Sequence, residues 1–242
     1  MNYSLIFAGG TGRRLSSRSK PKQFLELHGK PIIIYTMEHF SGHPEIDGIF
    51  VVCVESWINE LKHFIKRFSV DKVMNVVAGS AEGADKSIFL GLQAMRGICA
   101  PDDIVLIHDG VRPLINESVI SDNITKVKEC GNCITVDAAT ESVVRLDGGN
   151  TVADVLPRGE MFFAKAPQSF KFSDIYELYS RADADAVGVL DSAHLCNIYG
   201  VKLFTSKSPT YNIKITTAPD YYIFRALYEA IENEQIFGIS HE

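Results

Sequence analysis

The segment with the clearest chemical potential lies near the amino terminus. Residues 5–8 form an apolar stretch that runs into Gly9-Gly10-Thr11-Gly12, and the basic side chains of Arg14 and Lys22 follow shortly afterwards. Glycines let backbone N–H groups approach an anion closely, and the two basic side chains add positive charge beside them. The pattern predicts a phosphate-binding loop at the end of a strand, the alternative being a glycine-rich turn with basic surface residues.

This loop differs from two common nucleotide-binding motifs. The sequence contains no GxxxxGK[ST] segment, and a GxGxxG pattern fails because Leu15 stands where the third glycine should be. The loop is therefore neither a P-loop nor a dinucleotide-binding fingerprint.

Composition narrows the class of protein. The chain has 242 residues, of which 46% are hydrophobic and 22% charged, as expected of a single packed domain over residues 1–242. The 24 basic and 30 acidic residues give a net charge of −6, which disfavours nucleic acid as a partner. No apolar run approaches the roughly 18 residues that span a bilayer, and no secretory signal is visible, so we expect a cytoplasmic protein that does not bind membranes.

The five cysteines do not suggest a disulfide framework, because their number is odd and the chain is large. Cys130 and Cys133 form a single CxxC pair without a second pair to complete a zinc site. We expect ordinary thiols at a helix end and the start of a strand.

Short β-branched runs alternate with segments of helical periodicity, which predicts an α/β fold with a mostly parallel sheet. We expect strands at 4–8, 48–54, 73–78, 103–108, 133–138, 201–206 and 212–216. Apolar side chains at helical spacing predict helices over 57–68 and 88–95. Asn116 is a suitable N-cap for a further helix, and Pro219 suits the first turn of a carboxyl-terminal one.

One stretch interrupts this alternation. Residues 142–147 and 151–156 flank Gly148-Gly149-Asn150, the pattern of a β-hairpin with a glycine-rich turn. The hairpin would project as an arm over about 139–160. A lone two-stranded ribbon is only marginally stable, so we expect it to pack against the same arm of a second subunit in a homodimer.

Several segments together resemble one family. They are AGGTGRRL at 8–15, PKQF at 21–24, HDGVRP at 108–113, PQSF at 167–170 and NIKITT at 212–217. The set is similar to the signature of the CTP-dependent cytidylyltransferases that act on 2-C-methylerythritol 4-phosphate or ribitol 5-phosphate, and it covers nearly the whole chain. The resemblance implies transfer of a cytidylyl group from CTP with release of pyrophosphate. It also implies a Rossmann-like three-layer α/β/α fold of the nucleotide-diphospho-sugar transferase type.

The resemblance also implies roles for individual residues. The catalytic residues would be Arg14, Lys22, Arg158 and Lys214. The nucleotide would be bound by Phe7, Ala8, Gly9, Gly10, Gly12, Ser80, Ser87 and Asp109. The polyol phosphate would contact Thr140, Arg158 and Lys214, with Thr140 reaching across the dimer from the arm. Asp109 would coordinate Mg²⁺, with CTP as the co-substrate.

This chemistry needs no covalent nucleophile. A phosphate monoester has a second pKa near 6, so it is mostly a dianion at pH 7 and can attack the α-phosphorus without a base. Magnesium, two lysines and two arginines would offset the repulsion between the dianion and the triphosphate. Arg112 could take part in this site or form a structural salt bridge, and the sequence leaves the choice open.

The choice of polyol phosphate rests on small differences. Three features resemble the ribitol enzymes: the long spacing between Arg14 and Lys22, the Asp109-Gly-Val-Arg112 segment and the Ala8-Gly9-Gly10 opening. They favour formation of CDP-ribitol, as a precursor of teichoic acid or a capsule. The alternatives are the methylerythritol 4-phosphate enzyme of isoprenoid synthesis and a non-catalytic nucleotide-binding relative. The loop over 79–87 departs from the family pattern, and Ala166 stands where many relatives carry threonine, so the contacts that select cytosine remain open.

Overall fold

The computed structural model describes residues 1–9 and 20–237. Its centre is a seven-stranded sheet. The strands are β1 (Asn2–Ala8), β4 (Gly48–Cys53), β5 (Val73–Ala78), β6 (Ile104–Asp109), β7 (Asn132–Ala138), β10 (Phe162–Lys171) and β11 (Thr205–Lys207). Their order across the sheet is β11-β7-β10-β6-β1-β4-β5. β10 runs antiparallel to both of its neighbours, and the other pairings in the sheet are parallel. The predicted mostly parallel α/β fold is therefore confirmed.

Two small antiparallel ribbons lie outside the sheet. One consists of β2 (Glu26–Leu27) and β3 (Lys30–Pro31), and the other of β8 (Val143–Leu146) and β9 (Val152–Leu156). The second ribbon is the predicted hairpin arm, with the two strands in the expected order around a glycine-rich turn.

The helices pack on both faces of the sheet. They are α1 (Ile32–Gly42), α2 (Ile58–Arg67), α3 (Ala84–Met95), α4 (Glu117–Cys130), α5 (Phe172–Ala184), α6 (Ser192–Ile198) and α7 (Ala218–Phe237). Alternate side chains of β1 explain the layers: Ile6 packs in a core with α1, α2 and α4, whereas Leu5 packs on the opposite face with α3 and α5. Among the described residues, no helix is long and apolar enough to cross a bilayer.

Local sequence signals set several element ends. The Asn116 side chain accepts a hydrogen bond from the Val119 backbone N–H at 3.1 Å and so caps α4 as predicted. Gly131 ends that helix with a φ of 87°, a conformation that favours glycine. Pro219 lies in the first turn of α7, as expected.

The predicted strand over 212–216 is wrong. Its backbone N–H groups donate hydrogen bonds to loop residues and not to a neighbouring strand. The Ile213 N–H donates to the Tyr211 carbonyl, and the Ile215 N–H donates to the Val111 carbonyl. Ile215 is fully buried in a third core between α1 and α7. The alternation of apolar and polar residues therefore comes from a loop packed on one side, with no sheet ladder.

The predicted strand over 201–206 is shorter than expected. The side chain of Asn132 accepts from the Phe204 N–H and donates to the Lys202 carbonyl, which replaces ladder bonds along this stretch. Regular pairing with β7 therefore begins only at Thr205.

Candidate active site

A pocket opens where the carboxyl ends of β1 and β6 meet β10, at a bulge that interrupts the pairing of β10 with β7 between Ala164 and Gln168. The enclosed part of this pocket has a volume of about 120 Å³. The lining residues are Phe7, Ala84, Ile88, Ile107, Asp109, Arg112, Ala164, Lys165, Ala166, Gln168, Leu190, Asp191, Ser192 and Lys214. This edge of a parallel sheet is where α/β proteins commonly bind ligands.

A charged cluster forms one end of the pocket. Lys214 Nζ lies 2.5 Å from Asp109 Oδ1, and Arg112 Nε lies 2.8 Å from Asp109 Oδ2. Arg112 also donates from Nη1 to the Asn212 carbonyl at 3.0 Å. The cluster carries two cations for one carboxylate, so this end of the pocket has a net positive charge. Arg112 thus does both things that the sequence left open: it forms a salt bridge with Asp109 and it lines the pocket.

The turn after β6 holds this cluster in place through backbone bonds. The Gly110 N–H donates to the Phe7 carbonyl at 3.0 Å, and the Arg112 N–H donates to the Asp109 carbonyl at 3.1 Å. The buried His108 ring places Nε2 3.1 Å from the Arg112 carbonyl. Together these bonds fix the Asp109 carboxylate and the Arg112 guanidinium before any ligand binds.

The electrostatics keep Asp109 ionised. Burial alone would raise the pKa of the Asp109 carboxyl, but the positive charges of Lys214 and Arg112 outweigh it and hold the pKa well below its usual range. Burial also lowers the pKa of His108 to about 4, so this ring is neutral at pH 7. The site therefore presents an ionised carboxylate flanked by a lysine and an arginine side chain.

A second part of the site lies at the end of β1. A Cβ atom on Gly9 would come within 2.5 Å of Ser87 Oγ, so this close approach requires glycine. Ser87 Oγ accepts a hydrogen bond from the Ser80 N–H at 3.0 Å and donates to the Gly83 carbonyl at 2.9 Å. Two of the predicted nucleotide residues, Ser80 and Ser87, are thus bonded to each other beside Gly9.

Gln23 links the segment that begins at residue 20 to β1. Its buried side chain donates from Nε2 to the Ala8 carbonyl at 2.7 Å. Lys22 precedes it in a short 3-10 helix, Lys22–Phe24, and so lies near the end of β1. Arg14, Gly10 and Gly12, which the sequence also assigned to this site, lie outside the described residues.

Thr140 and Arg158 lie apart from this pocket. Both are exposed at the base of the arm, and Arg158 Nη1 reaches the Thr140 carbonyl at 3.5 Å. Within residues 1–9 and 20–237, neither of them belongs to the pocket wall around Asp109. The structure thus brings Phe7, Asp109 and Lys214 together, while the two arm residues stand outside.

Four polar residues of the pocket wall were not assigned a role from the sequence. They are Lys165, Gln168, Asp191 and Ser192. The PQSF segment contains Gln168, but only the bulge in β10 reveals that this stretch turns towards the pocket. A signal existed in the sequence, but its geometry could not be read from periodicity.

The donor set is compatible with a magnesium ion held mainly by its substrate. The described residues contain no cluster of three acidic, histidine or cysteine side chains that could bind a metal alone. Magnesium is commonly bound by one or two carboxylates together with substrate phosphates. The single carboxylate of Asp109 fits that arrangement.

Comparisons with known proteins identify the family of this chain. Residues 3–230 match the family model of IspD, 2-C-methyl-D-erythritol 4-phosphate cytidylyltransferase. A ribitol-5-phosphate cytidylyltransferase of Streptococcus agalactiae serotype Ia is 48% identical over 99% of this chain and 100% of its own. Another, from Vibrio parahaemolyticus serotype O3:K6, is 44% identical over 98% of this chain and 100% of its own.

A solved structure has the same fold. The 4-diphosphocytidyl-2C-methyl-D-erythritol synthase of Anaerococcus prevotii is 25% identical, with a TM-score of 0.82 over 95% of this chain and 96% of its own. The chain belongs to the IspD family of cytidylyltransferases. It is an enzyme of the nucleotidyltransferase class.

Proposed function

We propose that this enzyme transfers the cytidylyl group of CTP to D-ribitol 5-phosphate, forming CDP-ribitol and pyrophosphate. The observation that carries the proposal is the net positive cluster of Asp109, Arg112 and Lys214 in a pocket at the ligand-binding edge of the sheet. The choice of ribitol 5-phosphate is supported by two relatives with that name, which are 44% and 48% identical over nearly the whole chain. CDP-ribitol would then supply ribitol phosphate to a surface polymer such as teichoic acid or a capsule.

The reaction is a direct displacement at phosphorus. An oxygen of the acceptor phosphate forms a bond to the α-phosphorus, the bond to the bridging oxygen breaks, and its electron pair leaves with pyrophosphate. The acceptor is already a dianion at pH 7, so no side chain has to remove a proton. Lys214 would break its ion pair with Asp109 and contact the phosphate oxygens, which places its positive charge where negative charge accumulates in the transition state.

Lys22, Arg14 and the glycine residues would bind the triphosphate at the end of β1. Ser80 and Ser87, already bonded to each other there, would position the nucleotide loop. Asp109 would hold magnesium once Lys214 has moved, and the ion when bound would neutralise charge on the triphosphate and the leaving pyrophosphate.

The arm would complete the site of a second subunit. Apolar side chains are exposed on it and at the start of β10, namely Val144, Leu146, Val152, Val155, Phe162 and Phe163. An exposed ribbon of this kind is stabilised by pairing with a copy of itself in a homodimer. Thr140 and Arg158, which lie away from the pocket of their own subunit, would then reach the polyol phosphate in the partner's pocket.

Mixing two inactive variants tests this arrangement. Arg158→Ala impairs the arm and Lys214→Met impairs the pocket, so neither homodimer should be active. If the arm acts across the dimer, random exchange of subunits restores about a quarter of wild-type activity, because half the dimers are mixed and one of their two sites is intact. A mixture as inactive as the separate variants would contradict action across the dimer.

A second candidate acceptor is 2-C-methyl-D-erythritol 4-phosphate. The description of the matching family model favours it, and the same displacement chemistry would apply. Mass spectrometry of the product separates the two functions. We expect CDP-ribitol from CTP and ribitol 5-phosphate, and no product when UTP replaces CTP. A product formed only from the methylerythritol substrate would contradict the ribitol assignment.

A further inference from the structure

Two parts of the pocket wall differ in charge. The part at Asp109 carries two cations against one carboxylate. A second part is built from the bulge of β10 and the start of α6, where Lys165, Gln168 and Asp191 line the cavity. A polyol phosphate also has two different ends, one a dianion and the other a chain of neutral hydroxyl groups.

The bulge of β10 brings Lys165 to the pocket. Pairing with β7 is interrupted between Ala164 and Gln168, so Lys165 leaves the regular ladder and lines the cavity. Its side chain is only 16% exposed, and Nζ lies 3.5 Å from Oδ2 of Asp137, which is 14% exposed. Among described residues, Nζ of Lys165 donates no hydrogen bond. The ammonium group is therefore held in place while its donors remain available to a ligand.

Gln168 links Lys165 to Asp191. Its Nε2 lies 3.3 Å from the Lys165 carbonyl and 3.3 Å from Asp191 Oδ2, while its Oε1 accepts from the Ala193 N–H at 2.9 Å. Asp191 Oδ1 caps α6 by accepting from the His194 N–H at 2.8 Å. Asp191 Oδ2 is left with one long hydrogen bond and can accept another.

The net charge of this part of the wall indicates which end of the substrate it binds. Lys165 is compensated by Asp137, and Asp191 adds a further negative charge, so the wall disfavours a phosphate dianion. A donor at Lys165 and an acceptor at Asp191 match hydroxyl groups, which both donate and accept. The phosphate belongs at the positive end with Lys214.

We propose that Lys165 is a specificity-determining residue, whose ammonium group donates a hydrogen bond to the hydroxyl chain of the polyol phosphate while Asp191 accepts one from it. This inference rests on the proposed function, because it assumes a polyol phosphate in the pocket. It adds an orientation: the phosphate lies at Asp109 and Lys214, and the hydroxyl chain extends towards Lys165.

The test compares Lys165→Met with Lys171→Met. Lys171 is on the same strand but pairs with Asp102 on the surface, so it controls for loss of a lysine from β10. Pyrophosphate release is measured with CTP and either ribitol 5-phosphate or 2-C-methyl-D-erythritol 4-phosphate. We expect Lys165→Met to lower kcat/KM for the acceptor by about 10- to 100-fold, the usual effect of losing a hydrogen bond to a charged group. The KM for CTP should change less than twofold, and Lys171→Met should resemble the wild type.

A double variant distinguishes the loss of a substrate contact from a folding defect. Lys165→Met alone leaves Asp137 without its partner, whereas Lys165→Met with Asp137→Asn removes both charges together. The double variant should melt near the wild-type temperature and show the same loss of kcat/KM for the acceptor. Recovery of wild-type kcat/KM in the double variant would overturn the inference, because the defect would then come from an unpaired Asp137.

The remaining outcomes separate the two proposals. A loss below threefold with the acceptor, or an equal rise in the KM for CTP, overturns the role of Lys165 and leaves the proposed function standing. A wild-type enzyme that uses only the methylerythritol substrate overturns the ribitol assignment, and Lys165 is then judged by the same comparison with that acceptor. Wild-type inactivity with both acceptors overturns both proposals.

Discussion

Lys214 Nζ lies 2.5 Å from Asp109 Oδ1, although the two residues come from distant parts of the chain. Asp109 ends β6, whereas Lys214 sits in an irregular segment before α7. The segment is anchored by Asn212, which accepts from Arg112 and donates to the Ala166 carbonyl at 2.8 Å. The fold thus pairs Lys214 with a carboxylate at the edge of the pocket, and we propose that this lysine exchanges Asp109 for a substrate phosphate.

Replacing Lys214 with methionine should mainly lower kcat. The proposed contact forms with the phosphates in the transition state, and loss of one such donor typically lowers the rate by about 100- to 1,000-fold. Steady-state kinetics with CTP and ribitol 5-phosphate measure the effect, and Lys207→Met, at an exposed lysine of β11, is the control. A Lys214→Met enzyme with near-normal kcat would contradict the role of this lysine.

Asp109→Asn should impair both stability and metal use. Removing one partner from a buried ion pair leaves the Arg112 charge uncompensated, at a cost of about 3 kcal/mol in the free energy of unfolding. Activity should require more magnesium, because a neutral amide is a weaker ligand. Chemical denaturation and a magnesium titration measure the two effects. Asp102→Asn, which removes a surface pair with Lys171, should change neither, and a stable variant with normal magnesium dependence would refute this prediction.

Gly79→Ala should weaken CTP binding. The added Cβ would lie 2.8 Å from the Gly9 Cα atom and 3.0 Å from Ser87 Oγ, so the two loops must separate. Overpacking of this kind typically costs about 1–3 kcal/mol of stability. If that cost falls on the geometry that binds CTP, it raises the KM for CTP by about 5- to 150-fold. Gly42→Ala is the control because a Cβ there meets nothing within 4 Å. An unchanged KM for CTP in Gly79→Ala would show that the close approach does not matter for the nucleotide.

His108 should make the protein less stable in mild acid. Burial lowers its pKa from 6.5 to about 4, so between these pH values the unfolded chain binds a proton that the folded protein excludes. The neutral His108 ring therefore makes its full contribution to the free energy of unfolding above pH 6.5. As the pH falls towards 4, the free energy of unfolding decreases by about 3 kcal/mol.

Denaturation of a variant at several pH values checks this expectation. His108→Asn should show a flatter dependence of unfolding free energy on pH over this range than the wild type. His63→Asn, at an exposed histidine, should keep the wild-type dependence. Equal slopes for the wild type and His108→Asn would contradict the assignment.

The parallel part of the fold could be predicted because its strands are short apolar runs separated by clear turn and capping signals. β10 was missed, since its bulge after Ala164 breaks the two-residue period by which strands are recognised. The strand expected around Lys214 was wrong for the opposite reason. There an alternating pattern arises from a loop with Ile215 buried against α1 and α7.

The distinction between local sequence patterns and tertiary packing also explains which site residues could be predicted. Asp109 could be located because it ends a buried strand at the edge where α/β proteins bind ligands. Its partner Lys214 was found only through family resemblance, because their contact depends on tertiary packing. Lys165 and Asp191 were not assigned, as their approach to the pocket depends on a bulge and a helix start that no local sequence pattern specifies.

Pyrophosphate release tests the central claim most directly. The purified protein is incubated with CTP and magnesium, in parallel with ribitol 5-phosphate, with 2-C-methyl-D-erythritol 4-phosphate and without an acceptor. We predict release that depends on ribitol 5-phosphate, with a kcat/KM far above that for the methylerythritol substrate. Release only with 2-C-methyl-D-erythritol 4-phosphate, or no release with either acceptor, would contradict the assignment as a ribitol-5-phosphate cytidylyltransferase.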